Sequence, residues 1–273
     1  MLVLPVAYQR GGFNRPAEAG QRRFIFPTVD AYLNAVDDLR SHYAGHESIT
    51  IGLAPHSIRA VDADWLRVIS GYAKTHGLPV HIHACEQRRE IAESLAEYGK
   101  PPVQVLADTE ILGDKTTLIH GTHLTAEEFE LLAEYRPTIA ACPTTERDLG
   151  DGFLPAKELV SRQIPISLGS DSNATINMFE EMRLVEYNER LRHEERNILA
   201  TTVARMTGSP RVSTGDVLFP MATLNGARSL CIPAGRLAPG LLPDMFAVNL
   251  DHISLCVARP EDLNPADLLN HIT

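Results

Sequence analysis

The chain has 273 residues, 44% of them hydrophobic and 22% charged, enough to bury one barrel-sized core or two smaller ones. Its formal charge is −10 at pH 7 and its sequence pI is near 5.5, which argues against nucleic acid or an anionic membrane as the main partner. No apolar run approaches the ~18 residues that a membrane span needs.

Met1 leads directly into Leu2–Tyr8 (LVLPVAY) with no basic region and no small-residue cleavage site, so no signal peptide is expected and the setting is read as cytoplasmic. Short apolar, β-branched runs then alternate with longer helical patterns. Thr28–Tyr43 is expected as a helix with a Thr cap and an apolar face at Tyr32, Leu33, Val36 and Leu39. Ile49–Ala54 (ITIGLA) reads as a strand, Asp62–Thr75 as an Asp-capped helix and Pro79–His83 (PVHIH) as a strand. Glu86–Tyr98 is a helix ending at Gly99. Thr117–His120 (TLIH) is a strand, and Thr125–Tyr135 opens with TAEE, a capping-box pattern. Thr138–Cys142 (TIAAC) and Ile164–Gly169 (IPISLG) complete the strands. Helical stretches over Met178–Met206 and Asp216–Leu230 follow.

Near-continuous apolar strands are those buried on both faces of a parallel sheet. Each strand-plus-helix unit takes roughly 25–40 residues, which suits repeated βα units. Polar residues cluster where the strands end: His56, His83, His120, Thr144 and Asp171. A (β/α)8 barrel builds its active site from such strand ends. No GxGxxG turn follows a strand, which disfavours a dinucleotide-binding sheet. The expected fold is therefore α/β, a partial (β/α)8 barrel of about six strands over residues 1–230. Residues 231–273, where AGRLAPGLLPDMFAVNL reads as turns and short strands, are expected to be part of a small accessory β-domain.

The four cysteines, Cys85, Cys142, Cys231 and Cys256, form no CxxC pair and are read as reduced thiols packed as small apolar groups. His81 and His83 are at i and i+2 and so face the same side of a strand, with Glu86 three residues beyond. Such a trio opens a metal site or is a core histidine pair before a helix-starting glutamate. His120 ends an apolar strand before Gly121, where a satisfied buried histidine is the plain alternative. His123 reads as a loop residue. Asp171 is a metal ligand or an Asx-turn residue with Asn173. Arg59, near His56, can fork a substrate carboxylate or lie on the surface near Asp62. Together the strand-end histidines, the aspartate and the offset glutamate suit metal-assisted hydrolysis.

The segments HIHACEQ, LIHGTHL, CPTTERDLGDG and LGSDSNATINMFEEMRLVEYNERL resemble the amidohydrolase superfamily, in its metal-dependent deaminase branch. APHSIRAV, GQRRF and TTERDLGDGF narrow the resemblance to the family of deiminases that act on formimidoylglutamate in histidine degradation. The resemblance runs from Leu2 to about Asp251. It implies one divalent metal, zinc in most members, with His83 and Asp171 among its ligands. It also implies that Asp171 takes a proton from water, that Glu86 shuttles a proton at the amidine nitrogen and that His120 stabilises the tetrahedral centre. His56 and Arg59 would hold the glutamate part of a small acidic substrate.

The family's strand-one HxH motif is absent, and too few residues separate His83 from Asp171 for His81–His83 to be that motif. The chain therefore reads as strands three to eight of the barrel, a fragment lacking the first strands and stopping within the accessory domain. A homodimer is compatible with it. Two alternatives accompany this reading: a deaminase or chlorohydrolase acting on a purine, pterin or triazine, and an inactive fragment without the strand-one ligands.

Overall fold

Pro5 has no N–H to give a ladder, and the first apolar run breaks around it into β1 (Leu2–Val3) and β2 (Val6–Ala7). The computed structural model describes residues 1–249 of the chain. Two compact units divide it, Met1–Thr138 and Ile139–Thr273, the second described as far as Asn249.

In the first unit the run Ile49–Ala54 is likewise divided, into β3 (Thr50–Ile51) and β4 (Ala54–Pro55). The reason is that this segment serves two neighbours in turn. Gly52 N donates to Val3 O (2.9 Å) and His56 N to Ala7 O (3.1 Å), whereas Leu53 N donates to Pro79 O (2.9 Å). β1 pairs with β3 and β2 with β4, all parallel. Single parallel bridges at Leu53–Val80 and Ser57–His83 then join the segment to β5 (Val80–Ala84). β5 pairs in parallel with β6 (Thr116–His120) in the register His83–Ile119 and Ala84–His120.

Local chemistry sets the helices between these strands. α1 (Val29–His42) starts where the Thr28 side chain accepts from Ala31 N at 3.1 Å. α2 (Ala63–His76) starts where Asp62 accepts from Trp65 N at 2.9 Å. Each such cap contributes about 1 kcal/mol. α2 and α3 (Arg88–Tyr98) end at Gly77 (φ +65°) and Gly99 (φ +66°), left-handed positions that glycine adopts without a Cβ clash. α4 (Pro102–Asp108) is a helix that the periodicity does not announce; it is short and starts on prolines. α5 (Ala126–Tyr135) carries the expected capping box between Thr125 and Glu128. Leu53, Ile58, Leu66, Ile69, Ile82, Leu106, Leu118 and Leu132 are fully buried in this unit, at roughly 1.5–3 kcal/mol each.

In the second unit β7 (Thr138–Ala141) pairs in parallel with β8 (Ile166–Leu168), in the register Ile139–Ile166. Between them are two further short helices, α6 (Pro143–Leu149) and α7 (Ala156–Ser161). The stretch expected as one helix from Met178 to Met206 is two, α8 (Met178–His193) and α9 (Ile198–Thr207). Glu194 (φ +54°) and Asn197 (φ +55°) turn left-handed between them. The next stretch also breaks, into α10 (Thr214–Ala222) and α11 (Leu224–Ser229), with Pro220 inside the first. The short strands expected from Ala234 on are not found among the described residues to Asn249, where the chain runs in bends, one turn and irregular backbone. The remainder of that expected segment, and Cys256, lie outside the described residues.

The architecture is α/β with parallel strands in each unit. No helix among the described residues is long and apolar enough to cross a membrane.

Candidate active site

Four rings line up at the ends of the first unit's strands. Tyr8 follows β2, and its ring centroid is 4.4 Å from that of His56, which follows β4. His56 stacks on His83 of β5 (4.6 Å, interplanar 28°), and His83 on His120 of β6 (5.6 Å, 29°). The alternation that turns His83 to one face of its strand thus puts it between two other strand-end histidines.

Hydrogen bonding fixes the form of the central ring. His83 Nδ1 donates to the His56 carbonyl at 2.7 Å, and the same carbonyl accepts from His83 N at 3.0 Å. A carbonyl only accepts, so Nδ1 carries a proton, which in the neutral ring leaves the lone pair on Nε2, the tautomer in which an imidazole ligates a metal. His83 therefore fits a ligand's role. His56 Nδ1 pairs with the buried Ser57 hydroxyl at 2.9 Å. Burial, and then the neighbouring His83, Arg59 and His120, push the His56 pKa down to about 3, so its ring is neutral at pH 7.

Glu86 lies in the turn between β5 and α3 and is 8% exposed. Its Oε2 accepts from Arg59 Nη2 at 2.8 Å, and its Oε1 faces His120 Nε2 at 3.8 Å. A cation and an imidazole thus flank the one carboxylate. Arg59, read as a substrate ligand or a surface residue, is ion-paired and only 23% exposed at its side chain. His120 is 1% exposed and adopts φ +79°. Cys85, just after β5, has φ +56°, and Asp171, just after β8, has φ +54°. Left-handed backbone on residues other than glycine stores strain and is concentrated at functional sites.

Three residues that the motifs do not flag support this arrangement. Tyr8 supplies the outer ring of the row. Gln9 and Asp62 exchange two hydrogen bonds (2.7 and 2.8 Å). Arg10 donates to the Ile58 and Arg59 carbonyls, both at 3.0 Å, and pairs with Glu97 at 2.9 Å. The loop 56–62, which carries both His56 and Arg59, is thereby tied to the end of β2. Position alone was the available signal: Tyr8, Gln9 and Arg10 follow an apolar run as His56 and His120 do.

The first unit brings together His56, Arg59, His83, Glu86 and His120. Asp171 belongs to the second unit, three residues past β8. It is exposed, so the burial penalty expected for a carboxylate at a buried strand end does not arise. Thr144 is scaffold: its N and Oγ1 donate to Glu181 at 3.0 and 2.5 Å. Among the described residues, one group of three ligand-type side chains lies within 4.8 Å, Glu158, Glu189 and His193, and it includes none of the residues above. Glu189 there accepts from Ala156 N (3.2 Å) and pairs with Arg192 and His193. Cys85 and Cys142 are buried free thiols as expected, whereas Cys231 is exposed. Burial, with the carboxylates of Glu128 and Glu90, pushes the Cys85 thiol well above its usual range, so it is an inert group.

Histidines at the ends of parallel strands, with a buried carboxylate and an arginine beside them, are residue types compatible with metal-assisted hydrolysis. The chain belongs to the amidohydrolase family, which it matches over residues 34–270. It is 34% identical over 252 residues to the formimidoylglutamate deiminase of Pseudomonas aeruginosa, covering 91% of this chain and 53% of that protein. It is 32% identical over 201 residues to the 5-methylthioadenosine/S-adenosylhomocysteine deaminase of Pyrococcus horikoshii, covering 72% of this chain and 44% of that one. The crystal structure of an amidohydrolase from Brucella melitensis matches with a TM-score of 0.75 at 37% identity, over 83% of this chain and 48% of that one. An adenosine deaminase from Xanthomonas campestris, solved with bound zinc, matches in fold with a TM-score of 0.75 at 23% identity, over 98% of this chain and 56% of that one. The chain spans about half the length of the curated relatives it matches.

Proposed function

We propose that the chain is part of a metal-dependent deiminase that converts N-formimidoyl-L-glutamate and water to N-formyl-L-glutamate and ammonia. The observation that carries the reading is the Arg59–Glu86–His120 arrangement: a buried-side cation beside a carboxylate within reach of an imidazole. Arg59 uses one guanidinium N–H on Glu86, and the fork geometry suits an acidic substrate's carboxylate with others. His56, being neutral, adds a hydrogen bond to that end without adding charge. The likeness to the Pseudomonas aeruginosa deiminase supports the same choice.

In this reading the strands are part of a (β/α)8 barrel, strands three to eight, over residues 1–230. Residues 231–273 contribute to an accessory β-domain. His83 and Asp171 are the residues that would hold a divalent metal, zinc by preference, which would supply acidified water near neutral pH. Oxygen adds to the formimidoyl carbon, Asp171 accepts the proton, and His120 hydrogen-bonds the tetrahedral centre. Glu86 and Asp171 each deliver a proton to the imino nitrogen, the C–N bond to it breaks as the hydroxyl of the tetrahedral centre gives its proton back to Glu86 and becomes the carbonyl, and ammonia leaves. The partner is a small acidic molecule; the charge of −10 and the buried thiols suit a cytoplasmic enzyme, as a monomer or homodimer.

A second reading, deamination of an aromatic heterocycle, is favoured by the ring faces of Tyr8 and His56 and by the likeness to the Pyrococcus horikoshii deaminase. The test is zinc content together with ammonia release from N-formimidoyl-L-glutamate, on this chain and on a version extended to the length of its relatives. Arg59→Met should raise KM about 10–100-fold, the equivalent of ~1.5–3 kcal/mol of charge-assisted hydrogen bonding. A KM unmoved by that change overturns the acidic substrate and leaves the heterocycle.

A further inference from the structure

Glu90 is 1% exposed and sits in the first turn of α3. Neither of its oxygens is paired with a cationic side chain: one accepts from Cys85 N (3.3 Å), the other from Glu86 N (3.1 Å). An acid at this position of a helix ordinarily closes a capping box on the N-cap's own N–H. Glu128 does so for Thr125 in α5, and Asp216 for Ser213 in α10. In α3 the N-cap is Gln87, which makes no side-chain cap bond. Glu90 reaches past it to the two residues before. Those residues form the turn from β5, and the first of them is the left-handed Cys85. The Cys85 thiol is in turn bonded to Glu128 at 3.5 Å, so two buried carboxylates grip this one residue.

We propose that Glu90 is a positioning residue for Glu86. Its carboxylate clamps the Cys85 and Glu86 amides, holds the strained turn, and so delivers the Glu86 side chain between Arg59 and His120. The inference rests on the reading of Glu86 as the proton carrier, and it adds the residue that sets where that carrier stands. A helix cap alone would need no bond to Cys85. The charge of Arg59 also acts on Glu90, but a carboxylate placed only for charge would need no bond to either amide of the turn.

Two measurements separate the clamp from the chemistry. The first is amide hydrogen exchange on this chain, parent against Glu90→Ala and Glu90→Gln. The clamp predicts exchange at the Cys85 and Glu86 amides faster by about tenfold or more in Glu90→Ala, with Glu90→Gln between, since its amide oxygen can still accept one N–H. The second is turnover of N-formimidoyl-L-glutamate by the active protein. There kcat should fall about 10–100-fold in Glu90→Ala with KM within about twofold, because misplacing a reacting group by an ångström costs that much. Glu90→Gln, which keeps the side chain's shape, should recover part of the loss. As a control, Glu186→Ala strips the Ile198 and Leu199 amides of their acceptor in the second unit and should lower Tm while leaving kcat unchanged. Unchanged exchange at Cys85 and Glu86 overturns the clamp. Faster exchange with kcat preserved, or a kcat loss matched by Glu186→Ala, overturns the positioning role. If the parent itself ignores the substrate, the deiminase reading falls while the exchange data still decide the clamp.

Discussion

In Met1–Thr138 the imidazoles of His56, His83 and His120 lie face to face at strand ends, and the Glu86 carboxylate accepts from the Arg59 side chain and faces that of His120. In the second unit the buried carboxylates hold main-chain N–H groups in addition to side-chain partners, Thr144 Oγ1 for Glu181, Arg190 for Glu186, and Arg192 and His193 for Glu189. Glu181 accepts from Thr144 N, Glu186 from Ile198 N and Leu199 N, and Glu189 from Ala156 N. All three are at most 1% exposed, more completely buried than Glu86. Burial by itself therefore does not mark a glutamate as chemical. What marks it is the nature of its partners. A carboxylate that ties down backbone N–H groups is fixing loops. One whose side chain, like that of Glu86, accepts from no main-chain N–H among the described residues can exchange its side-chain partners for a ligand.

The sharpest way to break this contrast is to neutralise one glutamate of each kind. Glu86→Gln should lower kcat for ammonia release by about 10²–10⁴-fold, the range for losing a general acid or base, with little change in Tm. A variant that turns over normally would reduce Glu86 to another structural carboxylate and erase the distinction between the units.

Scaffolding is not confined to the second unit, and Tyr32 measures how much of it the first contains. It is fully buried in α1; its hydroxyl donates to Pro5 O and accepts from Ala54 N, both at 3.0 Å. These bonds link the ends of β1–β2 and β3–β4 where each strand is interrupted. Burial pushes its hydroxyl's pKa well up, so it stays a donor throughout the ordinary pH range. Tyr32→Phe leaves a buried N–H and a carbonyl unsatisfied and should cost about 1–3 kcal/mol in urea unfolding. A near-neutral result would mean that water replaces the hydroxyl and that the split strands need no such pin.

The site's histidines were legible because a strand's two-residue period and an abrupt polar ending are local properties. The run TLIH says where His120 stands whatever lies around it. The Arg59–Glu86 pair was not legible. It depends on the Ser57–His83 register between two βα units, which neither motif contains. Glu90 was hidden for a related reason. Four residues past Glu86 and flanked by Arg88, Arg89 and Glu93, it reads as part of a solvated helix face, yet it is buried against a turn. The strands of each unit agree with the apolar runs to within a residue or two, except where Pro5 and the double duty of Gly52–Leu53 divide them. The break at Glu194–Asn197 escaped because left-handed turns there are made without glycine.

The smallest expected effect concerns the second unit's own carboxylates, and its sign distinguishes a scaffold acid from a paired one. Burial raises the carboxyl pKa of Glu181 above its ordinary value of 4.5, with the Thr144 bonds opposing. A group raised on folding contributes stability fully below its unfolded value and loses that contribution as pH rises through its folded one. Glu181 should therefore make the protein slightly less stable as pH climbs from about 4.5. A carboxylate whose pKa is depressed by an ion pair would do the reverse. Glu181→Gln removes the titration while keeping an oxygen for Thr144, so Tm against pH for the variant should lie flatter than for the parent over that interval. Parallel profiles would mean that the Thr144 bonds offset burial completely. Glu181 would then hold its loop at no cost in charge, although it is buried.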